Sequence, residues 1–131
     1  MADWVRDCEA KMLAVVRSSI ADAVDQAQTP KVKGGRMPVD TGFLRSSARG
    51  ALGSWPSGPS DKPDDAAPGS FTWDGDSVTT VLAAMEPGDV FYFGWTAVYA
   101  LKQEVYNGFM EGTLQNWQGI VDANVRRLSD A

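Results

Sequence analysis

Apolar residues recur early in the chain at Trp4, Cys8, Met12, Val15, Val16, Ile20, Ala23 and Ala27, with the small Ser19 in the same row. Steps of three and four put them on one stripe of an α-helix. The opposite face carries Arg6, Glu9, Arg17 and Asp25, and no proline occurs before Pro30. The spacing predicts a helix over residues 3–27 packed on a sheet. Pro30 and the Gly34-Gly35 pair end it and predict a flexible basic loop over 29–37. The helical period returns at Phe109, Met110, Leu114, Trp117, Ile120, Val121, Val125 and Leu128. Asn107 is placed to cap this closing helix, Glu111 falls in its first turn, and Arg126 and Arg127 suit its C-terminal dipole. Gly119 inside it predicts a close crossing of helix and sheet.

Between these helices the pattern reads as β. Ala48 to Leu52 predicts a short strand. Phe71-Thr72-Trp73 predicts another, ended by a turn at Asp74-Gly75-Asp76. Val78–Met85 and Val90–Trp95 predict a hairpin joined through Glu86-Pro87-Gly88-Asp89, which has the proline and glycine of a type II turn. Phe91, Phe93 and Trp95 fall on one face of the last strand and Val90, Tyr92 and Gly94 on the other. A strand apolar on both faces is buried on both, which favours an oligomer. Ala97 to Tyr106 predicts a helical turn or an irregular crossover.

Two stretches fit neither period. Residues 53–70 hold four prolines and three glycines in 18 positions, and Asp61, Asp64 and Asp65 outweigh Lys62. They predict an acidic extended arm that orders on binding a neighbour. In Met37-Pro38-Val39-Asp40-Thr41-Gly42-Phe43-Leu44-Arg45-Ser46-Ser47, Pro38 brings the chain in extended. Asp40 is placed to cap a short helix from Thr41, with Phe43 and Leu44 inward and Arg45 solvated.

Composition narrows the function. The chain has 131 residues, 44% hydrophobic and 22% charged, as an ordinary single globular domain over 1–131 does. Its net charge of −5 argues against wrapping nucleic acid. Residues 31–49 depart from that balance: Lys31, Lys33, Arg36, Arg45 and Arg49 against Asp40 give +4. This patch is a candidate contact with a partner. Five tryptophans exceed what a small core needs, and Trp55 is a candidate contact residue. Cys8 stands alone, which excludes an internal disulfide, and its spacing from Trp4 and Met12 predicts a packed thiol. No secretory signal pattern is visible, and no apolar run approaches the length that spans a bilayer.

No catalytic constellation emerges. The chain has no histidine, so the commonest general base and transition-metal ligand are both missing. The serines lack a triad partner, the loop lysines lack a phosphate-binding glycine frame, and helix solvation accounts for carboxylates such as Glu104 and Glu111. Asp74-x-Asp76 lacks the later ligands of a calcium loop. The expectation is a non-enzyme without metal or cofactor.

The Pro38-Val39-Asp40-Thr41-Gly42 string, with Leu44, Arg45 and Ser46, follows a long N-terminal helix. Tyr99-Ala100 comes later, with Glu104, Gly108 and a closing helix from Phe109. In these features the chain resembles a family of small neck and tail-completion proteins of long-tailed bacteriophages and phage-like particles. The resemblance implies an α+β fold, with long N- and C-terminal helices on a small antiparallel sheet and a long Pro/Gly-rich loop. It implies a structural virion protein at the head–tail junction, assembled in the host cytoplasm as a ring of six copies. Such a ring joins the portal and connector to the tail tube or caps the tube. Its partners are adjacent connector, head-completion and tail-tube proteins, with no membrane, and DNA passes through the channel without specific binding. Pro38, Val39, Asp40, Thr41, Gly42 and Leu44 then shape the fold. Lys31, Lys33, Arg36, Arg45, Arg49, Trp55, Phe91, Phe93 and Trp95 are candidate interface residues. Alternatives are a tail-tube or minor capsid subunit, or a free-standing cytosolic module that takes a peptide or ligand between hairpin and helix.

Overall fold

A computed structural model describes residues 2–58, 60–62 and 67–129. Helix α1 (Ala2–Gln28) leads through a 3₁₀ turn (Lys31–Lys33) to α2 (Phe43–Ser46) and β1 (Ala48–Leu52). Then come α3 (Asp76–Ala83), β2 (Phe91–Trp95), α4 (Ala100–Asn107), α5 (Phe109–Gln115) and α6 (Trp117–Ser129). The fold is α+β, with long first and last helices and one two-stranded antiparallel sheet among the described residues. The sheet pairs Ala48 with Trp95 and Leu52 with Phe91.

The β1–β2 pairing replaces the expected 78–85/90–95 hairpin. Residues 76–83 are helical because Val78 and Leu82, four apart, bury on one face with Met85 below them. The Asp74 carboxylate accepts the Asp76 N–H at 3.0 Å and starts that helix. The β-branched Val and Thr residues that suggested a strand are overridden by this burial. Phe71–Trp73 is likewise not a strand. The turn at Glu86–Asp89 does form, with the Asp89 N–H on the Glu86 carbonyl at 3.0 Å, but it joins α3 to β2.

Two apolar clusters form the core among the described residues. One gathers Met37, Phe43, Leu44, Ala97 and Phe109; the other gathers Val24, Val78, Leu82 and Met85. An aromatic row connects them: Phe91 stacks on Phe93, Phe93 meets Trp95 edge-on at 5.2 Å, and Trp95 meets Phe109 at 4.7 Å. This face of β2 thus packs on both clusters, while Phe91 and Phe93 stay only half-buried.

Helix α1 buries its C-terminal half: Ser19, Val24, Ala27 and Gln28 are buried, whereas Trp4, Val5 and Met12 are exposed. Cys8 is half-buried, and its expected packing between Trp4 and Met12 is not found, since both neighbours stand in solvent. Asn124 ties α6 to α1 by donating to Asp22 Oδ2 at 2.9 Å. The closing helix is two helices, because its ladder is interrupted at Asn116, whose N–H turns back to Thr113. Gly119 is exposed, with nothing within 4 Å of where a Cβ would stand, so no crossing occurs there.

Candidate functional site

The stretch 37–47 is the hub of the first cluster. Met37 is fully buried, and Pro30 and Met37 form an isolated bridge that closes the basic loop. The Asp40 carbonyl accepts the Gly69 N–H at 2.7 Å, and the Thr41 carbonyl accepts the Phe71 N–H at 2.8 Å. These bonds lash the far end of the arm to the hub. Gly42 then turns the chain at φ 87°, where an added Cβ would lie 2.1 Å from the Phe71 carbonyl oxygen. Only glycine fits, by conformation and by space. Phe43 meets Phe71 edge-on at 5.2 Å.

Asp40 does not cap α2, contrary to the sequence expectation. Gly42 occupies the cap position, with no side-chain cap bond, and Thr41 Oγ1 accepts the Phe43 N–H at 3.2 Å. Asp40 is two residues too far back once Gly42 makes its left-handed turn. Beside the hub lies a cleft of about 390 Å³ lined by Pro38, Asp40, Lys62, Tyr99 and Gln103 among others. Burial raises the Tyr99 phenol above its ordinary 10.0; hydrogen bonding with the Leu44 backbone opposes the rise and the Asp40 charge adds to it.

The basic residues divide. Lys31 and Lys33 are exposed on the 3₁₀ turn. Arg36 lies across α5: an added Cβ on Gly112 would stand 3.1 Å from its Nε, and one on Gly108 would stand 3.1 Å from an Nη. Arg45 is not solvated as expected. Its Nε donates to the Gln28 carbonyl at 2.8 Å, and its guanidinium stands 5.4 Å from the Trp73 ring centroid. A cation on the last carbonyl of α1 also suits that helix dipole. Arg49 donates to the Ser46 and Ala48 carbonyls at 2.6 and 2.9 Å. Nor is the loop over 29–37 loose. The Lys33 and Gly35 N–H groups both donate to the Pro30 carbonyl, at 2.9 and 3.0 Å, and Gly34 closes on Lys31.

The aromatic candidates divide too. Trp95 turns inward, donating from Nε1 to Gln28 Oε1 at 2.8 Å. Trp55, 74% exposed, meets Tyr92 edge-on at 4.9 Å. With Phe91 and Phe93 it lines an open apolar groove of about 510 Å³, walled by Ile20 of α1 and by Leu114 and Trp117. Val39 is half-exposed at the hub's edge, and Pro38 half-buried behind it.

Three features escaped the sequence reading. Buried Gln28 joins α1, α2 and β2, since its Nε2 donates to the Arg45 carbonyl at 2.8 Å. Its place one turn past Val24, closing the apolar stripe before Pro30, was its signal. Glu104, not Asn107, caps the helix that starts at Phe109: its two oxygens accept the Met110 and Glu111 N–H groups at 2.8 and 3.0 Å. Asn107 ends α4 instead, its amide turned back to the Gln103 carbonyl at 2.9 Å. Residues 97–106, expected as a helical turn or an irregular crossover, include most of a two-turn helix, Ala100–Asn107, whose Leu101, Val105 and Tyr106 face solvent. The four-residue step from Leu101 to Val105 was the sign.

The arm over 53–70 is tied at Ser60, whose carbonyl accepts the Val98 N–H at 2.9 Å, and again at Gly69. Position 59 and positions 63–66 lie outside the described residues. Among the described residues, no group of three or more acidic or cysteine side chains is placed to hold a metal ion, and no helix is long and apolar enough to cross a membrane. Compared with protein-family models, curated proteins and solved structures, the chain finds no match.

Proposed function

We propose that the chain is a structural subunit of a ring at the head–tail junction of a long-tailed phage particle. The ring joins portal and connector to the tail tube or caps the tube, and leaves a channel for DNA. The observation that carries this reading is the Pro38–Ser46 string. It resembles the family's signature, and here its residues organise the first core rather than any chemistry. Two open apolar surfaces support a protein that works among neighbours: the groove under Trp55 and the Leu101/Val105/Tyr106 face of α4. The acidic balance suits a channel through which DNA slides. Electron microscopy of particles assembled without the protein tests it. Filled heads beside finished tails are the expected outcome, whereas missing tails indicate a tube subunit.

The groove favours a second reading, since its volume falls within the roughly 300–1,000 Å³ of small-ligand sites. A stable monomer that binds an apolar peptide there and joins no particle would support a binding module instead.

A further inference from the structure

Helix α1 carries complementary features at its two ends. Past its C-terminus, the loop over 30–37 presents Val32, 91% exposed, between exposed Lys31 and Lys33. The Lys31 N–H to Met37 carbonyl bond at 3.0 Å and the Met37 N–H to Thr29 carbonyl bond at 3.1 Å clamp its base. It is a preformed prong, one apolar side chain between two cations, with little left to order on docking.

Toward the N-terminus of α1 lies a pocket of about 220 Å³. Its apolar lining comes from Met12, Leu13 and Val16 of α1 with Met85 and Pro87 from the end of α3. Three carboxylate residues, Glu9, Glu86 and Asp89, line it too, and no cation does among the described residues. Arg17, the next residue of α1, stands at the pocket's edge with its guanidinium turned to the Ala83 and Met85 carbonyls, while the lining itself carries the three carboxylates.

We infer that the Lys31–Val32–Lys33 prong of one copy docks in this pocket on a second copy, with Val32 against Met12 and Pro87 and the lysines toward Glu9 and Glu86. The inference rests on the ring reading and names the contact that closes the ring. Apolar content and charge both match, and opposed charges set register and partner choice. The two features cannot meet within one chain, because Met12 and Gln28 are about 24 Å apart along one rigid helix. Under the ring reading the contact is head-to-tail, of the kind that closes rings or runs on as filaments.

Charge reversal tests it on the full chain at about 0.05 M salt, where screening is weak. Sedimentation of K31E/K33E alone, or of E9K/E86K alone, should show self-association at least about tenfold weaker than wild type. Asp89 is spared because its carboxylate accepts the Glu86 N–H and shapes the turn. An equimolar mixture of the two reversed chains should recover to within about threefold of wild type, because every prong again meets a pocket of opposite charge. In a Cys8→Ala background, Val32→Cys with Met12→Cys and a short bis-maleimide should give a ladder of covalent oligomers in assembled particles. Reversed chains that associate like wild type, a mixture no better than its components, or particles that show no ladder would each overturn the docking. If heads and tails still need the protein to join, the ring reading stands without this contact. A ladder in a chain whose loss leaves heads joined to tails keeps the docking and sinks the ring role.

Discussion

Gly42 and Asp40 are two residues apart, yet the structure asks opposite things of them. Gly42→Ala places a Cβ 2.1 Å from the Phe71 carbonyl oxygen at φ 87°, so chemical denaturation should show a loss of at least about 2 kcal/mol. Asp40→Ala removes no cap, and its effect should stay within about 0.5 kcal/mol. The Glu104 carboxylate holds two backbone N–H groups, so Glu104→Ala should cost about 0.5–2 kcal/mol by the same measurement. Tyr99 adds a pH dependence. Its phenol is raised on folding, so the fold favours the protonated form. That contribution is complete below pH 10.0, the unfolded value, and disappears as pH rises through the higher folded value. Melting temperatures should fall more steeply above pH 10 in the wild type than in Tyr99→Phe.

At the scale of elements, burial decided what local preference left open. The alternation-poor run Val78–Met85 is rich in β-branched residues, and strand propensity pointed the wrong way. A helix there buries Val78, Leu82 and Met85 together, and strand β2 pairs instead with β1, about 40 residues earlier in sequence. Thr80 distinguishes the two arrangements. It is exposed on α3, with its hydroxyl donating to the Asp76 carbonyl at 2.9 Å. Thr80→Ala should therefore stabilise by a few tenths of a kcal/mol, up to about 0.5, through helix propensity, whereas a strand would lose stability. The long helices were legible because their stripes are long, although only the structure shows that Trp4, Met12 and Val16 of the α1 stripe stand in solvent. The break at Asn116 has no glycine or proline to announce it.

Across the whole molecule, the α+β class and the hub at 37–47 could be read from sequence, while the sorting of candidate contacts could not. A cation in a basic patch looks alike whether it meets solvent or a carbonyl 17 residues away, as Arg45 meets Gln28. Trp55 and Trp95 also look alike in sequence, yet one rims a groove and the other donates to buried Gln28. That division predicts separable phenotypes. Trp55→Ala and Leu114→Ser alter exposed groove positions, so unfolding free energies should shift by no more than about 0.5 kcal/mol while docking in the groove weakens. Trp95→Ala removes a hydrogen bond and two aromatic contacts, and should cost about 3–5 kcal/mol.

The clamped loop after α1 also governs how the chain meets a protease. Lys31, Lys33 and Arg36 offer trypsin three sites at the surface, but a protease needs its substrate extended in the cleft. Here the backbone is bound to itself at Pro30, Lys31 and Met37, and Met37 is fully buried. Cutting requires the loop to open and Met37 to leave the core, so its rate tracks the population of the opened form. Trypsin digestion at these sites should therefore be slow in buffer and accelerate with urea, which makes the loop a built-in gauge of how firmly the first core is shut.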